Sequence, residues 1–357
     1  MELKKIYSRF NRTELVALAF IIYFLVQIIF QYNSLNFAAT RWSAFPRMDI
    51  FFILVAVFVL KLTRNQTVFR ILCFVFLLLA YFGFTGFSKD FFLPLYKIIP
   101  AFIENILISL RFLFLFSFII TIYFAQKKKQ ENYSLLLKDL RLFIPFFIIV
   151  FLYPLIPLII KAGIIDKDST LMKWDSFIFF GTNPLLWLEK IVSIPLTEFL
   201  SFTYSFYGPF FGLLIGLYFL EEKREALEEL LFMSTAALAI GYIFYTLVPA
   251  VGPLYTQAFN VNLDLNLMKE IKFNLMDKPR IDRDCFPSLH TTISLLTLFS
   301  AYKNKRNIFW VLLPLIITIP FACVYLRYHY VVDVLAGIIL FIALAIFTNK
   351  NKKGPLT

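Results

Sequence analysis

Three cysteines in 357 residues, Cys73, Cys285 and Cys323, are too few and too scattered for a disulfide framework or a thiolate metal cluster. Histidine is scarcer still: only His290 and His329 are present, and their spacing matches no familiar zinc arrangement, so no metal or other cofactor is expected. Charge is also short, at 16% of residues against about 25% in soluble domains. With 60% hydrophobic residues, that shortage excludes a soluble enzyme. The charge that remains is basic, +12 overall, and it falls between apolar runs as in the loops of a membrane protein. No nucleic-acid partner is expected. The 46 phenylalanines accompany abundant Ile, Lys and Asn, the mark of an AT-rich coding bias, and receive no functional role. No internal repeat, low-complexity tract or separate soluble domain interrupts the chain.

A spanning helix needs about 20 mostly apolar residues, because each rises 1.5 Å and the hydrocarbon core is roughly 30 Å thick. Ten segments approach this: 13–32, 49–63, 68–87, 102–125, 141–160, 196–220, 229–249, 287–301, 308–326 and 331–348. The expected fold is therefore an all-α integral membrane protein of about ten transmembrane helices, with 49–63 and 287–301 the shortest. Lys4, Lys5, Arg9 and Arg12 precede the first run, and no small-residue cleavage site follows it, so that run reads as a retained span. Of the 35 basic residues, 20 fall on the side of the N-terminus, 14 on the opposite side, and Arg111 lies inside a span. The positive-inside rule then places both termini in the cytoplasm and loops 161–195 and 250–286 on the outer face. Lys127, Lys128 and Lys129 read as a cytoplasmic anchor, and Arg111 as a bundle-facing charge. Composition favours a bacterial inner (plasma) membrane.

Both histidines sit at the outer ends of spans in the C-terminal third. His290 follows Phe286-Pro287-Ser288-Leu289, where proline opens a helix and Ser288 adds a hydroxyl beside exposed N–H groups, a combination that attracts anions. His329 and Asp333 stand four residues apart, so on one helix they share a face, and a carboxylate on one imidazole nitrogen leaves the other nucleophilic. An aspartate opening an apolar span is costly without a partner, which favours function over an incidental interfacial pair.

These residues resemble the type 2 phosphatidic acid phosphatase superfamily of membrane lipid phosphatases and phosphotransferases. Pro287-Ser288-Leu289-His290 is similar to that family's Pro-Ser-Gly-His motif with Leu for Gly, a variant of the inositol phosphorylceramide synthase-like (inositolphosphotransferase) branch, and His329 with Asp333 matches the motif ending His-x-x-x-Asp. The stretch from Trp174-Asp175 to Asn183-Pro184, and Pro249 to Pro253, also look like that branch. Two departures stand out. Ala322 and Cys323 occupy the usual Ser-Arg positions, and the first motif, Lys-x6-Arg-Pro, is absent, with Lys272 and Pro279-Arg280 a near miss in inverted order.

The resemblance implies a six-span catalytic domain over 141–348, preceded by a four-span extension over 1–140 and followed by a cytoplasmic tail at 349–357. It implies phosphoryl transfer from a membrane lipid to an alcohol or water, with His329 as the nucleophile that becomes phosphohistidine, Asp333 as its orienting partner and His290 as general acid. A phosphoryl transition state spreads negative charge over several oxygens, so fixed donors are required. Arg327, Ser288, Arg283, Arg280 and Lys278 are the available candidates, Arg327 foremost because it lies two residues from the nucleophile. Hydrolysis by a lipid phosphate phosphatase is the alternative within the family. A transporter or flippase is the alternative from another class, disfavoured because the ionisable cluster sits at one interface rather than the midplane.

Overall fold

The computed structural model describes residues 11–30, 130–160, 164–272, 277 and 280–351. Every regular element among them is a helix. The chain divides into two compact units, residues 1–50 with 144–357 and residues 51–143. The expected spans at 49–63, 68–87 and 102–125, with Arg111, Lys127, Lys128 and Lys129, lie outside the described residues, as does Lys278.

Ten helices matter for the site: α1 (Arg12–Phe30), α2 (Gln130–Leu152), α3 (Asp168–Ile178), α4 (Ile194–Ser205), α5 (Tyr207–Leu220), α6 (Arg224–Leu247), α7 (Leu289–Asn304), α8 (Arg306–Ile316), α9 (Ile319–Tyr325) and α10 (Val331–Asn351). Among the described residues, five helical stretches are long and apolar enough to cross a membrane: Arg12–Phe30, Arg141–Ile159, Arg224–Leu247, Arg306–Tyr325 and Val331–Asn349. The bent pair α4 and α5 makes a sixth. Seven of the ten expected spans fall among the described residues, and six of the seven are found there. The segment expected at 287–301 is α7, a helix of 16 residues, about 24 Å long at 1.5 Å per residue and short of the hydrocarbon thickness.

The character of α7 follows from its position. It packs against α5, α6, α8, α9 and α10, so it meets protein on most sides. Its Thr291, Thr292, Ser294, Thr297 and Ser300 are all buried. Thr292 and Thr297 return their hydroxyls to the carbonyls four residues back, which satisfies these two donors inside a membrane bundle. Gly337 on α10 fixes how close that helix comes: a Cβ there would stand 2.5 Å from the Ser288 carbonyl oxygen. The same approach lets Thr292 donate to the Gly337 carbonyl at 2.9 Å. This contact brings the start of α7, with His290, beside the start of α10, with His329 just ahead of it.

The 42° bend between α4 and α5 has a local cause. Pro209 has no N–H to offer the Ser205 carbonyl, and Gly208 beside it favours the break. The bend aims Tyr204 and Tyr207 from either side of it at one ring, that of His290. α1 belongs to the same compact unit as these helices: Phe20 meets Tyr242 edge-on at 5.8 Å, and Tyr23 and Thr246 share a hydrogen bond of 2.5 Å. Its opposite face, with Ile22, Leu25 and Ile29, is exposed, as lipid contact requires.

Candidate active site

The helix that follows His329 is anchored by carboxylates from a helix outside the bundle. Asp168 and Asp175 stand seven residues apart on one face of α3 and are both buried. Asp175 accepts from the backbone N–H groups of Val331 (2.9 Å) and Val332 (2.8 Å), closing the first turn of α10. Asp168 accepts from the N–H groups of Val251 and Gly252 and from the Tyr330 hydroxyl. At Gly252 the backbone has φ +102°, and a Cβ would stand 2.7 Å from the Tyr328 carbonyl oxygen, so glycine admits the Pro249–Pro253 stretch against the histidine turn. Neither aspartate was singled out as a site residue from the sequence. The signal was their seven-residue spacing, two helical turns, in a loop otherwise read as outer surface.

Burial pushes the Asp175 carboxyl up from 3.8 to about 6, with the nearby Asp333 adding to the shift and the two N–H donors opposing it. A proton held more tightly in the folded than in the unfolded chain favours folding at low pH. That contribution is complete below about pH 4 and is lost as pH rises to about 6. Asp175→Asn should therefore flatten the pH dependence of the thermal midpoint in detergent between about pH 4 and 6. An unchanged slope there would show that another group governs the profile.

α9 ends in a left-handed turn. Arg327, at φ +66°, lets the N–H groups of Tyr328 and His329 both reach the Cys323 carbonyl. The turn delivers Tyr328 and His329 to the site but sends the Arg327 side chain elsewhere. Its guanidinium donates to the Val261 carbonyl (2.6 Å), pairs with Glu189 (3.4 Å) and lies over the Phe259 ring. Burial lowers its pKa despite Glu189, whose own carboxyl is held low chiefly by the Val261 N–H.

His329 is 3% exposed, and its Nδ1 lies 2.8 Å from the Cys285 carbonyl oxygen and 3.6 Å from Asp333 Oδ2. The carbonyl can only accept, so Nδ1 carries the proton and Nε2 keeps the lone pair. Asp333 Oδ2 instead accepts from the Cys285 thiol (2.9 Å) and the Tyr330 N–H (2.8 Å). Burial, reinforced by Asp333, pushes the Cys285 thiol well up, keeping it a neutral donor. The orienting role expected of Asp333 is thus shared: the Cys285 main chain holds the imidazole, and Asp333 holds Cys285 and the turn. Cys285, His329 and Asp333 place three donor atoms within 4.8 Å of one another. These hydrogen bonds already account for that convergence.

His290, the second residue of α7, faces His329 with ring centroids 5.7 Å apart. Tyr204 stacks on it at 4.5 Å and on Tyr328 at 4.9 Å, Tyr207 meets its edge at 4.4 Å, and the Tyr204 hydroxyl lies 3.4 Å from its Nδ1. The two histidines line a narrow polar chamber with Tyr153, Tyr204, Arg280, Asp284 and Tyr328. Arg280 donates to Asp284 (2.8 Å) and to the Val251 carbonyl, and Asp284 also accepts from the Tyr153 hydroxyl at 2.5 Å. Burial works against the Arg280 charge, but Asp284 outweighs it and holds the guanidinium pKa well above its ordinary value. Tyr153, Asp284 and His290 also border a second, apolar cleft of about 80 Å³, lined by Phe146, Val150, Phe211, Leu238 and Tyr242 among others.

Of the five expected phosphate donors, Arg280 is the one that lines the chamber among the described residues. Three others have their side chains engaged elsewhere. Arg327 is committed to Glu189 and Val261. Arg283 is paired with Asp166 at 2.5 Å. The fully buried Ser288 hydroxyl caps α7, accepting from the N–H and hydroxyl of Thr291. Lys278 lies outside the described residues. The sequence reading missed Tyr204, Tyr207, Tyr153 and Cys285, because tyrosines and a neutral thiol carry no local pattern that separates them from core, and Asp284, because its partners Tyr153 and Arg280 meet it only in the fold.

Fold and site together define a membrane-embedded helical protein with two histidines and an arginine around one chamber. A family model of the PAP2 superfamily matches residues 169–347, half of the chain, and the chain belongs to that superfamily, whose members are generally phosphatase-type enzymes acting on phosphoesters. It is also similar to the uncharacterized protein MJ0662 of Methanocaldococcus jannaschii, with 29% identity over 160 residues, covering 43% of this chain and 61% of that relative. The chain thus spans about three fifths of the length of that relative. No solved structure matches it.

Proposed function

We propose that the protein transfers phosphoryl groups from a lipid phosphoester to an alcohol through a phosphohistidine on His329. The observation that carries this reading is the convergence of His290, His329 and Arg280 on one chamber that adjoins an apolar cleft. In the first step the Nε2 lone pair of His329 attacks phosphorus. The bond from phosphorus to the leaving oxygen breaks, and His290 gives that oxygen a proton. In the second step His290 takes the proton of an acceptor hydroxyl, the new oxygen–phosphorus bond forms, and the phosphorus–nitrogen bond breaks. Arg280 offers a charged donor to the equatorial oxygens in a site shielded from water. The cleft suits hydrocarbon chains, which supports a lipid donor.

The acceptor decides between transferase and phosphatase. The resemblance of Leu289 and Pro249–Pro253 to the inositolphosphotransferase-like branch favours an alcohol. Supplying purified protein with lipid phosphodiesters and phosphomonoesters, together with a ceramide, diacylglycerol or inositol, tests this. Incorporation of the acceptor supports transfer. Release of free phosphate from monoesters at full rate, with no acceptor incorporated, makes the protein a phosphatase.

The proposed orientation has the histidines on the outer face of a bacterial plasma membrane and both termini in the cytoplasm. Lys223, Lys303 and Lys305 gather with Glu221, Glu229 and Asn304 at the ends of α5, α6 and α7 remote from the histidines, as a cytoplasmic end would. A cysteine introduced at Asn262 should react with an impermeant thiol reagent added from outside. Reaction only from the cytoplasmic side would invert the assignment.

A further inference from the structure

The charge on the walls of the chamber is nearly balanced, and that balance bears on the donor. Among the described residues lining it, Arg280 and Asp284 form the one ion pair, 2.8 Å apart. Both side chains are about nine-tenths buried, so solvent does little to screen them. Three other cations of the neighbouring loops are paired: Arg283 with Asp166, Arg327 with Glu189, and Lys272 with Asp277. With His290 carrying the proton it must give to the leaving oxygen, the described side chains lining the chamber sum to one net positive charge, and the Asp333 carboxylate, 3.6 Å behind His329, opposes it. A phosphodiester brings one negative charge, whereas a phosphomonoester above its second pKa of about 6 brings two.

Asp284 also stands where a substrate has to pass. It borders both the apolar cleft and the polar chamber, together with Tyr153 and His290. The Tyr153 hydroxyl fixes one carboxylate oxygen at 2.5 Å and Arg280 the other, so the side chain is held in place. Any phosphate reaching His329 from the cleft meets a carboxylate at this junction, in a setting where like charges interact strongly.

We propose that Asp284 is a specificity-determining residue that selects a singly charged phosphodiester donor over a doubly charged phosphomonoester. The proposal deepens the phosphoryl-transfer reading and rests on it for the donor's place in the reaction. Its effect belongs to binding, so it is measurable apart from the chemistry.

The test uses the full-length protein in detergent at about pH 8.5 and compares wild type with Asp284→Asn and Asp284→Glu. Asparagine keeps the shape and the bond to Tyr153 without the charge, and glutamate keeps the charge. Equilibrium binding is measured with inorganic phosphate and with dimethyl phosphate, and turnover with lipid monoesters and diesters of matched chains. Wild type should favour dimethyl phosphate and the diester. Asp284→Asn should raise the monoester-to-diester ratio of kcat/KM, and the corresponding ratio of affinities, by about tenfold or more, and Asp284→Glu should leave both ratios near wild type. Equal losses on both substrates in Asp284→Asn would reduce Asp284 to a support for Arg280 and overturn the proposal, as would a wild-type preference for the monoester. If turnover is absent but the binding preference appears and is lost in Asp284→Asn, the phosphoryl-transfer reading fails and this inference stands. If turnover runs through His329 without any preference, the reverse holds.

Discussion

His329→Ala is expected to lower phosphoryl transfer by about 10⁴-fold or more while the bundle remains folded. The Nδ1 hydrogen bond to the Cys285 carbonyl accounts for about 1 kcal/mol of the cost to the fold, with the lost packing of a buried ring added to it, and His290, the other imidazole lining the chamber among the described residues, is engaged as general acid. His290→Ala should cost about 10²–10⁴-fold, because a general acid is lost while the carrier survives. That variant should still form a phosphoenzyme from a substrate whose leaving group needs no proton. Asp333→Asn should cost less than either, since its carboxylate stands 3.6 Å from Nδ1 and the carbonyl already holds the proton. Trapping the phosphoenzyme with labelled substrate checks the series. Label found on any residue other than His329 would remove the basis of the mechanism.

Arg280→Ala should reduce kcat by about 10²–10³-fold, the usual loss when one preorganised donor to a transition state is removed. Arg327→Ala should act mainly on stability, with kcat within about tenfold of wild type. The contrast rests on where each guanidinium is spent. Arg280 lines the chamber with both histidines, and Arg327 is tied to Val261 and Glu189 on the far side of its own turn. Arg280→Lys should recover only part of the loss, because an ammonium lacks the planar fork. Kinetics on the three variants, with thermal midpoints alongside, decide the matter. A larger kcat defect in Arg327→Ala than in Arg280→Ala would mean that the turn opens during catalysis and returns Arg327 to the phosphate.

Proximity along the chain is what misdirects the sequence reading here. Arg327 is two residues from the nucleophile, yet a left-handed residue reverses the backbone between them, and nothing in the string Arg-Tyr-His announces that reversal. Arg280 and Asp284 reach the site from a loop whose path depends on contacts with Val251 and Tyr153, 29 and 131 positions away. The two histidines and Asp333 were legible for the opposite reason: in a chain with so few ionisable groups near apolar runs, those three stand out. Most spans within the described residues were legible as apolar runs facing lipid. α7 was marginal because its surroundings are other helices, which tolerate the serines and threonines that lower its apolar character. The bend at Phe206 was implicit in Gly208-Pro209, but its result, two tyrosines around His290, needed the folded neighbours.

The grip of α3 on the start of α10 sets an order of events. Asp175 reaches Val331 and Val332 across 156 and 157 positions, and Asp168 reaches the Tyr330 hydroxyl across 162. During synthesis α3 emerges long before the segment it must hold, and until that segment arrives its two aspartates have no partners at 330–332. Contacts of such long range close late, after the intervening loop entropy has been overcome. Under the proposed mechanism, catalytic competence is gained in the last stage of maturation, and a nascent chain that has inserted every earlier span has not yet fixed His329 in place.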